Sequence, residues 1–158
     1  MNNVHYMSTN YEWETPEKVF LPLKEEFGIE FDVCASNSNR KTKKYFDKQI
    51  NGLQKEWSEA GRVVWMNPPY GNEITKWVRK AHEETKHGVT TVALLPARTD
   101  TSWFHTYIKD RHEVRFLKGR IKFKDAKSSA PFPSMIVVFK PEEKEGKIKT
   151  FINKLWKK

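Results

Sequence analysis

The sequence predicts an α/β fold, a single Rossmann-like domain with a mostly parallel sheet, and three observations carry that expectation. Short apolar runs alternate with amphipathic stretches through the middle of the chain. Two of the runs, Arg62–Met66 and Val89–Leu95, are almost continuously apolar, the pattern of strands covered on both faces. Each runs into proline, at Pro68-Pro69 and at Pro96, where a ladder cannot continue. A chain of 158 residues supports one hydrophobic core.

The elements follow in order. Residues 1–10 are polar and are expected to form a loose N-terminus. Thr15-Pro16-Glu17 reads as a helix start: threonine caps, proline fits the first helical position, and the carboxylate meets the positive end of the dipole. Phe20, Leu23 and Phe27 continue one face, and Gly28 ends it. Glu30–Cys34 is a short strand, and Ser36–Lys44 is a polar, basic loop. The strand Arg62–Met66 enters the turn Asn67-Pro68-Pro69-Tyr70. Glu73–Lys86 is an amphipathic helix with Ile74, Trp77, Val78 and Ala81 on one stripe, stopped by Gly88. Val89–Leu95 is the next strand. Trp103, Phe104, Tyr107 and Ile108 mark a short helix, and Glu113–Leu117 and Ser134–Phe139 are further strands. Ile148, Phe151, Ile152 and Leu155 set the spacing of a basic C-terminal helix within 141–158, on or beyond a main domain of residues 11–140. Ligands of open parallel sheets bind beyond the carboxyl ends of the strands. Asp32, Asn67 and Pro96 all stand at such ends.

Composition narrows the function classes. Hydrophobic residues make up 37% and aromatic residues 13% of the chain, too much for a disordered protein. Lys and Arg number 29 against 20 Asp and Glu, a formal net charge of +9. That balance attracts polyanions, and nucleic acid is the expected partner. One cysteine, Cys34, excludes an internal disulfide framework and a cysteine zinc cluster. The five histidines show no metal-ligand spacing, so no metal is expected. No signal run and no stretch of membrane-spanning length is present, so no membrane partner and a cytoplasmic location are expected.

The chemistry concentrates in Asn67-Pro68-Pro69-Tyr70. An exocyclic amino nitrogen on a heteroaromatic ring is a poor nucleophile, because its lone pair is delocalised. Two acceptors placed on its two N–H bonds localise that pair. Asn67 offers its side-chain oxygen, and the backbone carbonyl of Pro68 offers the second. The prolines fix φ, restrict the residue before them, and carry no N–H to compete for the acceptors. Tyr70 provides a flat face on which an extruded base can stack. Preorganised acceptors of this kind need no metal. The plain structural alternative is a proline-rich turn after a buried strand.

Asn-Pro-Pro-Tyr is the fourth motif of amino-methyltransferases, and the wider chain resembles the phage and prophage DNA adenine-N6-methyltransferase (Dam) family. The matching stretches are Trp13–Pro16 (WETP), Phe31–Ala35 (FDVCA), Asn51–Trp57 (NGLQKEW), Val64–Tyr70 (VWMNPPY), Leu94–Phe104 (LLPARTDTSWF), Phe116–Phe123 (FLKGRIKF) and Ala130–Phe139 (APFPSMIVVF). The resemblance implies a site-specific transferase that moves a methyl group from S-adenosylmethionine to adenine N6 in double-stranded DNA, with the target base flipped out. It implies that Thr15 and Pro16 touch the methionine end of the cofactor. It places Asp32, Val33, Cys34 and Ala35 in the first cofactor-binding loop, and Asn51 near the cofactor adenine, with Asn67 also beside the cofactor. Protection from restriction is plausible for such a family.

The chain departs from the general methyltransferase pattern in its cofactor half. Ala35-Ser36-Asn37-Ser38 contains no glycine, and the stretch from Asp32 to Asn67 is short. Asp47 is a candidate for the acidic ribose ligand or else a surface turn residue. Trp13 stacks on the cofactor or staples the first helix. Arg98, Thr99, Asp100 and Trp103 contact DNA, or cap and pack the following helix, with Asp100 as the cap. Arg120, Lys122 and Phe123 alternate as a strand would and suit phosphate and base contact, or form a solvated face. Cys34 reads as a small buried residue rather than a nucleophile. Two other functions keep the same observations: methylation of another planar amino group (RNA guanine, cytosine N4 or protein glutamine), and a non-catalytic basic module that binds nucleic acid. Product analysis separates the first from the leading reading, and calorimetry with S-adenosylmethionine separates the second.

Overall fold

The computed structural model of the chain describes residues 13–141 and the backbone of 148–151. Three α-helices, α1 (Glu17–Phe27), α2 (Ile74–Glu84) and α3 (Ser102–Tyr107), accompany seven strands. The strands are β1 (Phe31–Asp32), β2 (Lys44–Tyr45), β3 (Val63–Met66), β4 (Thr90–Pro96), β5 (Glu113–Leu117), β6 (Ser134–Phe139) and β7 (Ile148–Phe151). They form one sheet in the order β2-β1-β3-β4-β6-β5-β7. β2, β1, β3 and β4 run parallel, β6 is antiparallel to both neighbours, and β7 is parallel to β5. This is the Rossmann-like α/β arrangement that the sequence predicts.

Helices cover both faces. Phe20 of α1 meets Trp65 of β3 edge-to-face at 5.2 Å. Arg115 of β5 reaches Glu26 on α1, whereas its neighbours Val114 and Phe116 look the other way, toward Phe104 and His105 of α3. α2 packs on α3 and so shares that second face. Two-sided cover explains the unbroken apolar runs: all six residues of β6 are buried, as are six of the seven in β4. Buried His112, just before β5, meets His82 of α2 through a 2.9 Å ring-nitrogen contact and fastens α2 to the sheet.

The parallel register brings Asp32, Met66 and Pro96 to one edge of the sheet, since Asp32 pairs with Trp65 and Met66 with Ala93. The functional residues begin there. Between β1 and β3 the chain holds only β2 and two 3₁₀ turns (Gly52–Gln54 and Trp57–Glu59), with no α-helix. The stretch from Asp32 to Asn67 is thus short in the fold as in the sequence. β2, a polar two-residue edge strand, carries no apolar pattern that sequence could reveal.

Three expectations are corrected. Thr15 does not cap α1: Pro16 occupies the N-cap position, and no side chain caps the helix. The run Arg120–Phe123 is an extended loop and not a strand. Gly119, with φ of 83°, turns the chain out of β5, whose two edges are already filled by β6 and β7. Exposed Arg120 and Lys122 still alternate with buried Ile121 and Phe123. The expected C-terminal helix is a strand over Ile148–Phe151, because the open edge of β5 offers a row of backbone partners to an alternating, β-branched tetrapeptide. Residues 1–12, 142–147 and 152–158 lie outside the described residues, and with them the loose N-terminus and the rest of that helix. Among the described residues no helix is long and apolar enough to cross a membrane.

Candidate active site

β3 delivers Asn67 to the carboxyl edge of the sheet, and the side-chain amide is held from one side. Its Nδ2 donates to the carbonyl of Trp13 at 2.6 Å and to Thr15 Oγ1 at 3.1 Å. Both partners are oxygens, so the network assigns the nitrogen to that side and the acceptor Oδ1 to the other. The Tyr70 hydroxyl lies 3.2 Å from Oδ1 and 3.3 Å from the carbonyl of Leu94. Its single proton serves one of them at a time, and Asn67 Oδ1 keeps a lone pair for a further donor. Burial pushes the Tyr70 pKa up, so the phenol remains neutral.

Tyr70 does not present an open face. It is 7% exposed, and Phe132 stands edge-on to it with ring centroids 5.5 Å apart. A base can stack on Tyr70 only if Phe132 shifts. Trp13 joins the same aromatic group, 4.9 Å from Phe123 and 6.0 Å from Phe132. The Trp13 ring therefore packs on residues of the 118–133 loop rather than stapling α1. That loop overhangs the edge, tied to the turn after β4 by the Ala97 N–H on the Pro133 carbonyl.

The segment Trp13–Pro16 is fixed in three further ways. The Lys124 N–H donates to the Glu14 carbonyl at 3.0 Å. The Glu14 carboxylate bridges Lys41 Nζ at 3.1 Å and Lys124 Nζ at 3.2 Å. Burial alone would raise the Glu14 pKa, but the hydrogen bonds from Lys41 and Lys124 win and hold it below its ordinary value. Thr15 is buried, and its hydroxyl serves Asn67.

The loop after β1 is organised by Asp32. Its Oδ1 accepts the Cys34 N–H at 3.2 Å and its Oδ2 the Lys41 N–H at 3.0 Å. The carboxyl is 2% exposed. Burial dominates these two hydrogen bonds and raises its pKa to about 6. Val33 is buried, and the Ala35 N–H donates to the carbonyl of Phe46. Burial, and then the charge of Asp32, push the Cys34 thiol upward, which disfavours the thiolate, and the residue is half-buried.

Asn51 is drawn to the same loop. Its φ is 53°, and its side chain accepts from the Leu53 N–H. A Cβ on the following Gly52 would lie 2.2 Å from the Val33 carbonyl. The Trp57 indole N–H then clamps the Gly52 carbonyl at 2.8 Å. The Asn-Gly…Trp spacing thus presses this turn onto the Asp32 loop. Asp47 is a turn residue, its Oδ1 accepting from the N–H groups of Gln49 and Ile50.

Arg98, Thr99 and Asp100 form an exposed turn beyond β4. Asp100 does not cap α3, whose N-cap is Thr101 without a side-chain bond. Trp103 and Phe123, candidates for DNA contact, are 4% and 2% exposed; Trp103 is packed as the alternative reading had it. Arg120 and Lys122 are exposed. Sequence reasoning missed Glu14, Lys41, Lys124 and Phe132. Phe132, set between Pro131 and Pro133, carried a signal that went unused. The ion pairs carried none.

Comparison with known proteins identifies the family. The family model described as "DNA N-6-adenine-methyltransferase (Dam)" matches residues 5–158. A "DNA N-6-adenine-methyltransferase" of Haemophilus phage HP1 (strain HP1c1) is 32% identical over 146 residues, 87% of this chain and 83% of that protein. A protein of the same name from Escherichia phage T1 is 34% identical over 108 residues, 68% of this chain and 44% of that protein. Among solved structures, the type IIL restriction-modification enzyme MmeI in complex with DNA matches with a TM-score of 0.44 and 12% identity, over 78% of this chain and 21% of that one. On the full-length family match and the HP1 relative, this chain belongs to the DNA N-6-adenine-methyltransferase (Dam) family.

Proposed function

We propose that the chain transfers a methyl group from S-adenosylmethionine to N6 of adenine in double-stranded DNA, at a base extruded toward Asn67. Family membership implies the cofactor, and the names of the HP1 and T1 relatives support adenine as the target. The observation that carries the reading is the locked orientation of the Asn67 amide, which leaves its oxygen as an acceptor. That oxygen accepts a hydrogen bond from one N–H of the target amino group, and the Pro68 carbonyl accepts one from the other. The contacts strengthen as the nitrogen becomes tetrahedral, so they favour the transition state over the ground state. Phe132 and Tyr70 part to admit the base.

The residues present fit a cationic cofactor. Asp32 is a buried carboxylate held by two backbone N–H groups, and burial raises its pKa to about 6, so a cation placed beside it would favour the ionised form. Asp32–Ala35, Asn51, Trp13, Thr15, Pro16 and Asn67 would hold the group. When bound, S-adenosylmethionine supplies an electrophilic methyl group on sulfur, and the sulfur departs as a neutral thioether. Transfer leaves N6 cationic, and its surplus proton is shed to solvent, so no strong base and no metal is required of the protein. Arg98, Arg120 and Lys122 reach DNA phosphates from the loops that border the site.

Nucleoside mass analysis tests this reading. The chain with S-adenosylmethionine is incubated separately with duplex DNA, single-stranded DNA, RNA and protein, with and without excess EDTA. N6-methyladenine in duplex DNA, undiminished by EDTA, is the expected outcome. Methylation confined to RNA or protein, or none in any sample, overturns it.

A further inference from the structure

We propose that Glu14 is a positioning residue that couples the cofactor loop to the DNA-facing loop, through the carboxylate it shares between Lys41 and Lys124. The proposal rests on the reading of the chain as a DNA methyltransferase and concerns residues to which that reading gives no role.

Lys41 sits under the site. Its side chain is 3% exposed, and its ammonium group contacts Glu14 at 3.1 Å and Glu17 at 2.7 Å. Its backbone N–H holds Asp32 Oδ2. One residue therefore joins the Asp32 loop to the Trp13–Pro16 segment, the two parts assigned to the cofactor. Lys124 lies on the other side of Glu14. It is 57% exposed on its side chain and follows exposed Arg120 and Lys122 in the basic 118–133 loop. Its backbone and its ammonium group both bind Glu14.

Glu14 is thus a single negative charge divided between two cations. A buried ammonium such as Lys41 depends strongly on its carboxylates, because desolvation makes an unpaired charge costly. A phosphate arriving at the basic loop competes for Lys124. The carboxylate of Glu14 is then left to Lys41, which tightens its hold on the Asp32 loop. DNA and cofactor therefore strengthen one another's binding, and by linkage the factor is the same in both directions.

The test measures the affinity of S-adenosylhomocysteine, the thioether product, by calorimetry with and without saturating sheared duplex DNA of mixed sequence. The wild-type protein is expected to bind several-fold more tightly with DNA, on the order of tenfold. Glu14→Gln should bring that ratio close to one and should also weaken binding without DNA. Lys124→Met leaves Glu14 to Lys41 permanently, so it should raise binding without DNA toward the level the wild type reaches with DNA and bring the ratio close to one. It answers the question even if Glu14→Gln does not fold. A purely structural role would lower thermal stability and both affinities while the ratio stayed at its wild-type value. That result, or a wild-type ratio of one, overturns the coupling and leaves the methyltransferase reading intact. A wild-type protein that binds no cofactor, or no duplex DNA, removes both.

Discussion

At the scale of single residues the site depends on which atoms of Asn67 are already used. Its nitrogen is committed to Trp13 and Thr15, so the side chain both orients the acceptor and ties down the N-terminal strap. Asn67→Ala is expected to slow methyl transfer by about 10²–10³ under single-turnover conditions, the usual cost of one missing oriented partner. It should also cost about 1–2 kcal/mol in stability, measured by denaturant unfolding, because two hydrogen bonds are lost. Asn67→Asp should be no better than alanine. A carboxylate cannot donate to the Trp13 carbonyl, and it would face that oxygen with like charge. An aspartate variant with near wild-type rate would show that the amide orientation is not what matters. Asp32 gives a pH dependence. Its folded pKa, about 6, is raised by burial above the ordinary carboxyl value. Its contribution to stability is therefore present at low pH and lost as pH rises through about 6. Cofactor binding runs the other way, because a cation prefers the ionised carboxylate. Affinity measured by calorimetry should fall as pH drops from 7.5 to 5.5, and Asp32→Asn should bind weakly and almost independently of pH.

At the scale of elements, the site is an assembly of strand-end loops pressed against one another. The closest approach is between the Asn51-Gly52 turn and the loop after β1. Gly52→Ala puts a Cβ 2.2 Å from the Val33 carbonyl, and both partners are backbone. Neither can yield without moving the Asp32 loop. The expected destabilisation is about 1–3 kcal/mol, with cofactor affinity lost as well. An alanine variant with wild-type unfolding midpoint and affinity would mean that the turn can slide away from β1. The sequence marked this stretch only through the resemblance over Asn51–Trp57; the tight turn and its Trp57 clamp appear in the fold. It could not announce β7. The spacing of Ile148 and Phe151 fits a helix as well as a strand, and only the vacant edge of β5 decides between them.

At the scale of the whole molecule, the charge of +9 is not spread evenly over function. Several cations serve the fold: Lys41 binds Glu14 and Glu17, Lys80 binds Glu84, and Arg115 binds Glu26 and Glu113. Exposed Arg98, Arg120 and Lys122 instead border the carboxyl edge of the sheet. DNA affinity should fall steeply with salt, roughly tenfold or more between low and physiological ionic strength if several phosphates are contacted. Arg120→Ala should weaken DNA binding and flatten that slope by about one unit while cofactor affinity in the absence of DNA holds. Fluorescence anisotropy across a salt series measures both, and a slope unchanged by the substitution would place Arg120 away from the backbone.

By itself the sequence determined the α/β class, the strands β1, β3 and β4 whose ends carry Asp32, Asn67 and Pro96, and the proline turn at Asn67. Those features are local: apolar runs, prolines that stop a ladder, and glycines that permit a turn all act on their nearest neighbours. The tertiary structure decided what the residues do to one another. It set the Asn67 amide against a carbonyl 54 residues away, and it joined Glu14 to Lys124 across 110 residues. It closed Phe132 over Tyr70, buried Trp103 and Phe123, and raised the Asp32 pKa. Orientation, burial and charge sharing arise only when distant segments are brought into contact and water is excluded between them, and no spacing within one segment encodes that.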